Sequence, residues 1–318
     1  LDNNVKQVKF VDRTFNCNLK YSIEIWNYLK KNDNGTTNFH FEIAADLITD
    51  EIIAVLKDAR PTLFQFEIGV QSTNPTVLTT IQRKMDFEEV GNVVKKIKDL
   101  QNIHQHLDLI AGLPYEDMKS FRQSFNDVIA LRPEQLQLGF LKVLKGSGMH
   151  RDASKYGLIY KDIAPYEILY TDYISYDQML HLHRIEEMLE SYYNSGRFAY
   201  TMEYLFTLFP TPFDAFSSMA LFWEEHRYHQ VKHSKNAYYE ILLYFAIEKT
   251  SANPTLMQEI LKLDMLLHEK VVDIPRKLRT LDQMQYKKKM RSFYNQEGNI
   301  EEYLPQLQGY TVQQVSRM

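Results

Sequence analysis

Leu63–Val70 reads LFQFEIGV, a short apolar run that is rich in aromatic and β-branched side chains. A run of this length and content indicates a strand buried in a parallel sheet. Four further runs of the same kind lie on either side of it along the chain: Val8–Val11 (VKFV), Phe39–Ile43 (FHFEI), Leu107–Ala111 (LDLIA) and Leu136–Leu144 (LQLGFLKVL). The five runs together predict five buried strands.

The segments between these runs carry apolar residues at helical spacing. Helices are predicted over Asp50–Ala59, where Thr49 can cap the amino end, and over Phe87–Leu100 and Asp117–Leu131. The alternation of strands and helices implies right-handed parallel crossovers, and therefore an α/β fold. Because five strands are too few to close a barrel of eight, the prediction is a partial, open TIM-like barrel.

Beyond Met149 the sequence changes in character. Tyrosine and phenylalanine become dense between Tyr156 and Phe245, and the apolar patterns lengthen to helix size. Helical patterns run over Met179–Tyr192, Ala199–Phe209, Phe213–Lys232, Lys235–Lys249 and Thr255–Glu269. We therefore predict two domains: the partial barrel over residues 1–150 and a mainly α-helical C-terminal domain over residues 151–318.

The composition is that of a soluble protein: 44% of the 318 residues are hydrophobic and 25% are charged. No apolar run approaches the roughly 20 residues that cross a bilayer, and no signal peptide is visible. The formal net charge of −4 gives no reason to expect nucleic acid as a partner. Cys17, the only cysteine, cannot form an internal disulfide, and alone it cannot hold a cluster or a structural zinc. These features predict a cytoplasmic protein without membrane or nucleic-acid partners.

Two carboxylates stand inside apolar runs: Glu42 in FHFEIAAD and Asp108 in HLDLIAGLP. A buried charge costs free energy unless it has a partner, and the ligands of parallel sheets bind at the carboxyl ends of the strands. For either residue alone, a loop cap or an exposed edge explains the position as well as a binding site does. Glu67 raises the same question. Several carboxylates at equivalent strand ends favour a shared site.

Four motifs carry a family resemblance. GVQS (Gly69–Ser72) with Arg83 twelve residues after Gln71, DLIAGLPYED (Asp108–Asp117) and LGFLKVLKGSGM (Leu138–Met149) resemble the barrel of radical S-adenosylmethionine (SAM) enzymes. The similarity is to the branch with coproporphyrinogen oxidase-like, methylthiotransferase and cobalamin-dependent members. FVDRTFN (Phe10–Asn16) resembles a subgroup in which a cobalamin-binding domain precedes the barrel and a helical domain of unknown function follows it.

The resemblance implies a set of SAM-binding residues in this chain: Glu42, Gln71, Ser72, Arg83, Asp108, Ile110 and Lys142. Glu42 would bind the amino-acid part of SAM, and Gln71 and Arg83 would hold its ribose and carboxylate. The Ser72 hydroxyl stands beside Gln71 where the strand gives way to a turn. Asp108 would accept hydrogen bonds from the ribose hydroxyls, and the backbone near Ile110 and Lys142 would flank the adenine. No residue of this chain is assigned a catalytic or metal-ligating role.

The other cofactor that the family uses is a [4Fe-4S] cluster, held by three cysteines in a C-x-x-x-C-x-x-C loop after the first strand. The sequence contains no such loop, and Cys17 follows a segment that resembles the second strand. The resemblance therefore implies that the first strand and the cluster loop lie upstream of Leu1, together with any cobalamin-binding domain. On this prediction the chain is a fragment that cannot generate radicals by itself.

The leading hypothesis is a radical SAM oxidoreductase or transferase that acts on a small-molecule or unknown substrate. The alternative is a non-catalytic module, in which a decayed barrel and its helical domain bind a partner protein. A third possibility is an unrelated α/β enzyme with Glu42 or Asp108 as general base, although no accompanying motif supports it.

Three histidines, His226, His229 and His233, fall on one face of a predicted helix. Histidine is a common metal ligand, but basic residues surround these three and no carboxylates accompany them. A solvated helix face is therefore favoured over a metal site. His104 and His106 would share a side only in a strand, and we assign them no role.

Overall fold

The computed structural model describes residue 3 and residues 5–271, 274–279, 283–296, 298–307 and 309–315. Five parallel strands form one sheet in the order of the sequence: β1 (Gln7–Lys9), β2 (Asn38–Ile43), β3 (Phe64–Gln71), β4 (Ile103–Ala111) and β5 (Gln135–Phe140). A second, antiparallel sheet pairs β6 (Ile159–Tyr160) with β7 (Ile168–Tyr170).

Helices fill the connections between the strands of the larger sheet. They are α1 (Leu19–Lys31), α2 (Asp50–Lys57), α3 (Pro75–Thr80), α4 (Phe87–Asp99) and α5 (Met118–Ala130). Further along the described chain lie α6 (Gly148–Arg151), α7 (Tyr176–Met188), α8 (Ala199–Phe206), α9 (Pro212–Glu225), α10 (Lys235–Lys249), α11 (Pro254–His268), α12 (Gln283–Asn295), α13 (Asn299–Tyr303) and α14 (Val312–Val315). Because neighbouring strands are parallel, each connection returns through a helix. The predicted α/β fold with a partial, open barrel and additional helices is confirmed.

The bounds of β1, β2 and β3 lie within two residues of the sequence prediction, whereas those of β4 and β5 differ from it by four residues at one end. β4 begins at Ile103, before the predicted run, because the polar sequence His-Gln-His interrupts the apolar pattern while its backbone still pairs with β3. β5 ends at Phe140, since Lys142 beyond it pairs with Glu167 instead of with the sheet. Both differences arise where backbone pairing does not follow side-chain hydropathy.

Helix α1 has no counterpart in the sequence prediction. Its buried residues are Ser22, Trp26 and Leu29, which make a weak apolar stripe. Asn18 caps the helix, because its side chain accepts a hydrogen bond from the amide of Tyr21. The cap and one large buried ring therefore define this helix more than its periodicity does.

The larger sheet has one apolar face and one polar face. In β3 the burial alternates residue by residue: Phe64, Phe66, Ile68 and Val70 are fully buried, and Gln65, Glu67, Gly69 and Gln71 point to the other side. β4 alternates in the same way. Polar side chains of neighbouring strands consequently lie side by side on one face.

An aromatic cluster packs on the apolar face beside β1 and β2. Phe41 is fully buried, Phe10 stacks on it with ring centroids 4.6 Å apart, and Phe15 lies at 4.4 Å. The buried Asn16 side chain donates to the carbonyl oxygen of Ala44 at 2.8 Å and accepts from its amide at 2.9 Å. Three residues of the FVDRTFN motif, Phe10, Phe15 and Asn16, therefore hold the loop after β1 against β2 and the loop that follows it.

The chain divides into two compact units. The first comprises Leu1–Gly196 and Phe209–His229 and holds both sheets, and the second comprises Arg197–Leu208 and Gln230–Met318. The predicted domain boundary at residue 150 stays a prediction. In the described parts of both units, every helix is too short or too polar to cross a membrane.

The second unit is organised around a buried carboxylate. Asp264 of α11 is fully buried and accepts hydrogen bonds from the amides of Tyr200 (3.2 Å) and Thr201 (2.8 Å). It also accepts from the Thr201 hydroxyl at 2.7 Å. These donors lie in the first turn of α8, where the amides lack partners within the helix. Asp264 thus joins α11 to the amino end of α8.

Replacing Phe41 by alanine should lower the free energy of unfolding by about 3–5 kcal/mol, because the change leaves a cavity among packed rings. Urea denaturation measures the difference. Tyr28→Ala, on the exposed side of α1, is the control and should shift the free energy by less than about 0.5 kcal/mol. Equal losses in the two variants would contradict this packing.

Candidate functional site

A cleft of about 460 Å³ lies at the carboxyl ends of the strands, on the polar face of the larger sheet. Parallel sheets bind their ligands at this edge. Six of the seven residues that the family resemblance assigned to SAM line the cleft: Glu42, Gln71, Arg83, Asp108, Ile110 and Lys142. The structure therefore brings together residues that are up to a hundred positions apart in the sequence.

Gln71 has an unusual backbone conformation at the end of β3. The strand bulges between Gly69 and Gln71, and Gln71 has a φ of 71°, in the left-handed region that costs a non-glycine residue roughly 1–2 kcal/mol. Gly69 permits this arrangement, because Nε2 of Gln71 occupies the space where a β-carbon on Gly69 would lie. Arg83 donates a hydrogen bond to the carbonyl oxygen of Gly69. The bulge thus gathers an amide and a guanidinium at the cleft.

Three side chains of the cleft have buried polar atoms without a hydrogen-bond partner: Gln71 Oε1, Arg83 Nε and Asp108 Oδ1. Buried polar atoms nearly always have partners, and leaving one without costs about 1–3 kcal/mol. The three atoms offer an amide acceptor, a cationic donor and a carboxyl oxygen to one cleft. Together they suit a ligand that has hydroxyl donors and an anionic group.

Ion pairs join β1, β2 and β3 beside the cleft. Lys9 Nζ lies 2.9 Å from Glu67 Oε2 and 3.4 Å from Glu42 Oε1. His40 Nε2 lies 2.8 Å from Glu67 Oε2, at ion-pair distance but with poor hydrogen-bond angles. Contact with His40, and then with Lys9, outweighs burial and lowers the pKa of Glu67 to about 2. Glu67 therefore keeps its negative charge at neutral pH.

Asp108 has the opposite protonation preference. Burial raises the pKa of Asp108 to about 8, and the negative charges of Glu67 and Glu42 act in the same direction. The Asp108 carboxyl group consequently holds its proton at neutral pH, and it can donate as well as accept a hydrogen bond. Burial also lowers the pKa of Arg83, but the guanidinium remains charged.

Three histidines continue the polar face toward the amino ends of the strands. His104 and His106 lie on the same side of β4 as Asp108, and their ring centroids are 5.0 Å apart. His106 Nε2 shares a hydrogen bond of 2.9 Å with Gln65 Nε2. Burial, together with the neighbouring histidines His104 and His40, lowers the pKa of His106 to about 4. His106 is therefore neutral. Because β4 begins at Ile103, His104 and His106 both lie in the strand, and their spacing of two residues places them on the same side of it.

Ser72 is the predicted ligand residue that the structure keeps out of the cleft. Its side chain is fully buried, and Oγ donates to Glu116 Oε1 at 2.6 Å. Glu116 is fully buried as well, and burial raises its pKa to about 7 against the opposing hydrogen bonds from Ser72 and Ser124. Sequence reasoning did not single out Glu116, because a carboxylate in the GLPYED loop carries no mark of burial.

The predicted histidine face of the C-terminal half is wrong. Helix α9 ends at Glu225, His226 follows as its C-cap, and His229 lies in a separate 3-10 turn, so the three histidines do not share a helix face. His233 lies in the second compact unit. Within the described residues, no three histidine, cysteine, aspartate or glutamate side chains meet in a geometry that holds a metal ion. Cys17 is free and exposed.

Two family models match parts of this chain. A family model described as "Radical SAM superfamily" matches residues 1–128, and one described as "Protein of unknown function (DUF4080)" matches residues 154–318. The chain is similar to the oxygen-independent coproporphyrinogen-III oxidase-like protein HemZ of Bacillus subtilis, with 34% identity over 113 residues that cover 35% of this chain and 22% of that protein. It is also similar to a probable threonylcarbamoyladenosine tRNA methylthiotransferase of Pyrococcus abyssi, with 25% identity over 130 residues that cover 40% of this chain and 30% of that protein.

Among solved structures, the chain is similar to coproporphyrinogen III oxidase (HemN) from Escherichia coli. The TM-score is 0.43 and the sequence identity 20%, with 58% of this chain and 39% of that chain covered. The matched region spans less than a third of the length of the two curated relatives named above.

Asp108→Asn should make the free energy of unfolding less dependent on pH. An unfolded aspartate ionises near pH 4, whereas the folded Asp108 keeps its proton up to about pH 8, so unfolding releases a proton between these values. The stability that Asp108 contributes is fully present below about pH 4 and is lost as the pH rises through about 8, at no more than about 1.4 kcal/mol per pH unit. Asparagine does not titrate, so the free energy of unfolding of the variant should increase relative to that of the wild type as the pH rises.

Urea denaturation of both proteins between about pH 5 and pH 8 measures this difference. The slope that Glu116 contributes is common to both and cancels. Ser251→Ala, at an exposed loop position without a titratable side chain, is the control and should differ from the wild type by the same amount at every pH. A constant offset for Asp108→Asn would show that Asp108 is ionised in the folded protein.

Proposed function

Because the chain belongs to the family described as "Protein of unknown function (DUF4080)" and carries a radical SAM superfamily domain, we propose that it provides the SAM-binding barrel of a radical SAM enzyme. The observation that carries this proposal is the set of buried, unpartnered polar atoms of Gln71, Arg83 and Asp108 in one cleft. The relatives are named as an oxidase-like protein and a methylthiotransferase, which are enzymes with different outcomes. The substrate of this chain decides which of these two kinds of reaction, oxidation or group transfer, it takes part in.

The donors and acceptors of the cleft match the polar groups of SAM. Glu42 is a half-buried carboxylate that suits the ammonium group, and Arg83 suits the carboxylate. Gln71 and Asp108 each offer an unpartnered oxygen to the ribose hydroxyls. When bound, SAM supplies a transferable methyl or adenosyl group, while these residues bind and orient it.

The adenine part of SAM fits the far side of the cleft. Ile110 and Gly139 line it from β4 and β5, and Lys142 follows. Ser72 lies outside the cleft, and we propose that it supports Gln71 and does not contact SAM itself.

The described residues do not fit an iron–sulfur cluster, because Cys17 is the only cysteine and lies exposed. We propose that the cluster ligands belong to a strand that pairs with β1, whose second edge has no strand partner among the described residues. The FVDRTFN motif supports a cobalamin-binding domain in the same longer protein. Reading the coding sequence ahead of Leu1 tests each point separately. A C-x-x-x-C-x-x-C motif supports the proposed cluster ligands and its absence contradicts them, and a sequence for a cobalamin-binding domain ahead of that motif supports the second point while its absence contradicts it.

The proposed partner is a small-molecule substrate, bound in the cytoplasm. The free thiol of Cys17 suits a reducing compartment. The net charge of −4 supports neither a nucleic-acid nor an anionic-membrane partner.

Isothermal titration calorimetry of this chain with SAM tests the proposed function. The wild type should bind SAM. Arg83→Gln, Gln71→Ala and Asp108→Ala should each weaken binding at least about tenfold, because each removes a hydrogen bond worth about 1.4 kcal/mol or more to the ligand. Each variant should keep the far-UV circular dichroism spectrum of the wild type, which shows that the loss of affinity does not come from unfolding.

Arg151→Gln is the matched control. It removes an exposed arginine whose ion pair, with Asp152, lies outside the cleft, and it should leave the affinity for SAM unchanged. A wild type that does not bind SAM would overturn the proposed function and favour a module that binds a partner protein.

A further inference from the structure

We propose that Glu116 is a positioning residue of the cleft: through Ser72 it holds the turn after β3, and so it fixes the backbone conformation in which Gln71 presents its amide to the ligand. Because SAM is the ligand that the proposed function assigns to the cleft, this role rests on the proposed function. It goes beyond that function by giving a task to a residue that touches no ligand.

Gln71 needs outside support to keep its backbone conformation. Its φ of 71° is unfavourable for a side chain other than glycine, asparagine or aspartate. Residues in such conformations persist where the surrounding structure over-determines them, and they concentrate at ligand sites. The Gln71 oxygen gives no such support, since it is buried without a partner. The turn that follows adds to the constraint that the pairing of Gln71 with Leu109 of β4 supplies.

The turn is bonded to two other parts of the first unit. Ser72 Oγ donates to Glu116 Oε1 at 2.6 Å and accepts from the amide of Asn74 at 3.1 Å. The amide of Thr73 donates to Ser124 Oγ at 3.0 Å, and Ser124 Oγ donates to the same Glu116 oxygen at 3.3 Å. Glu116 Oε1 is therefore the acceptor that the Ser72 and Ser124 hydroxyl groups share. Two further bonds hold the turn to α5: Thr73 Oγ1 donates to Asp127 Oδ2 at 2.7 Å, and Asn74 Nδ2 donates to Ser120 Oγ at 2.8 Å.

Stability alone does not explain a glutamate at this position. Glu116 is 0% exposed, its Oε2 has no hydrogen-bond partner, and no ion pair reaches it from the described residues. Burying a carboxyl group in this way costs free energy compared with an apolar side chain of similar size. The short bond to Ser72 is what the carboxyl group provides and an apolar side chain cannot.

The position of Glu116 in the fold explains how its hydrogen bond to Ser72 affects ligand binding. Glu116 lies in the loop after β4, the strand that carries Asp108 and Ile110, and Ser72 directly follows the strand that carries Gln71. The hydrogen bond between Glu116 and Ser72 therefore fixes the position of the carboxyl end of β3 relative to that of β4. Both strand ends line the same cleft.

A double-mutant cycle with SAM binding as the readout tests this role. Glu116→Ala and Ser72→Ala should each weaken SAM binding about tenfold, whereas Glu116→Gln, which keeps the acceptor oxygen, should stay within about twofold of the wild type. In a Gln71→Ala background, Glu116→Ala should cause no further weakening, because the residue it positions is gone. Losses that add up in the double variant, or an unchanged affinity in Glu116→Ala, would overturn the proposal.

Amide hydrogen exchange of the ligand-free chain separates this inference from the proposed function. Glu116→Ala should speed exchange at the Ser72 and Thr73 amides at least about tenfold. Asn102→Ala is the control. Asn102 is, like Glu116, a buried polar residue; it lies directly before β4, and its side chain donates to the carbonyl oxygens of Leu56 and Ala59, so its loss should leave the turn unchanged. If the wild type fails to bind SAM, the proposed function falls and the exchange result still decides whether Glu116 holds the turn.

Discussion

The polar side chains of β2, β3 and β4 face the same way, and the cleft depends on that register. Glu42 pairs with Glu67 across β2 and β3, and Glu67 pairs with His106 across β3 and β4. The opposite faces of these strands carry fully buried rings such as Phe41 and Phe66. A slip of one residue in any strand would bury the charges and expose the rings, so the apolar face fixes the register of the polar one.

This register concentrates negative charge, and the molecule disperses it in two ways. Lys9 neutralises Glu67, and Asp108 keeps a proton. The cation comes from β1, a strand of three residues at the edge of the sheet. β1 therefore matters more for the electrostatics of the cleft than its length suggests. With Glu67 compensated, the carboxyl groups left to meet a ligand are those of Glu42 and Asp108.

Sequence patterns revealed most of this fold because aromatic and β-branched runs mark buried parallel strands. They failed where pairing and hydropathy separate. The amino half of β4 is polar, α1 has a weak stripe, and the helix expected to carry His226, His229 and His233 on one face ends at Glu225. The strand-end residues were reachable through a family resemblance. The contact between Ser72 and Glu116 was not, since 44 positions separate the two and only the folded chain brings them together.

Ser72 illustrates how a motif residue can be assigned the wrong task. Adjacency to Gln71 suggests a second ligand contact, but side chains alternate along a strand, so consecutive residues face opposite sides. Gly69 and Gln71 share the cleft side, and this parity sends Ser72 to the buried side, toward Ser124 and Glu116. The bulge at Gly69 reshapes the backbone without reversing that outcome. Gln71 lines the cleft while its neighbour Ser72 is anchored in the core, and strand parity explains this difference between two adjacent residues.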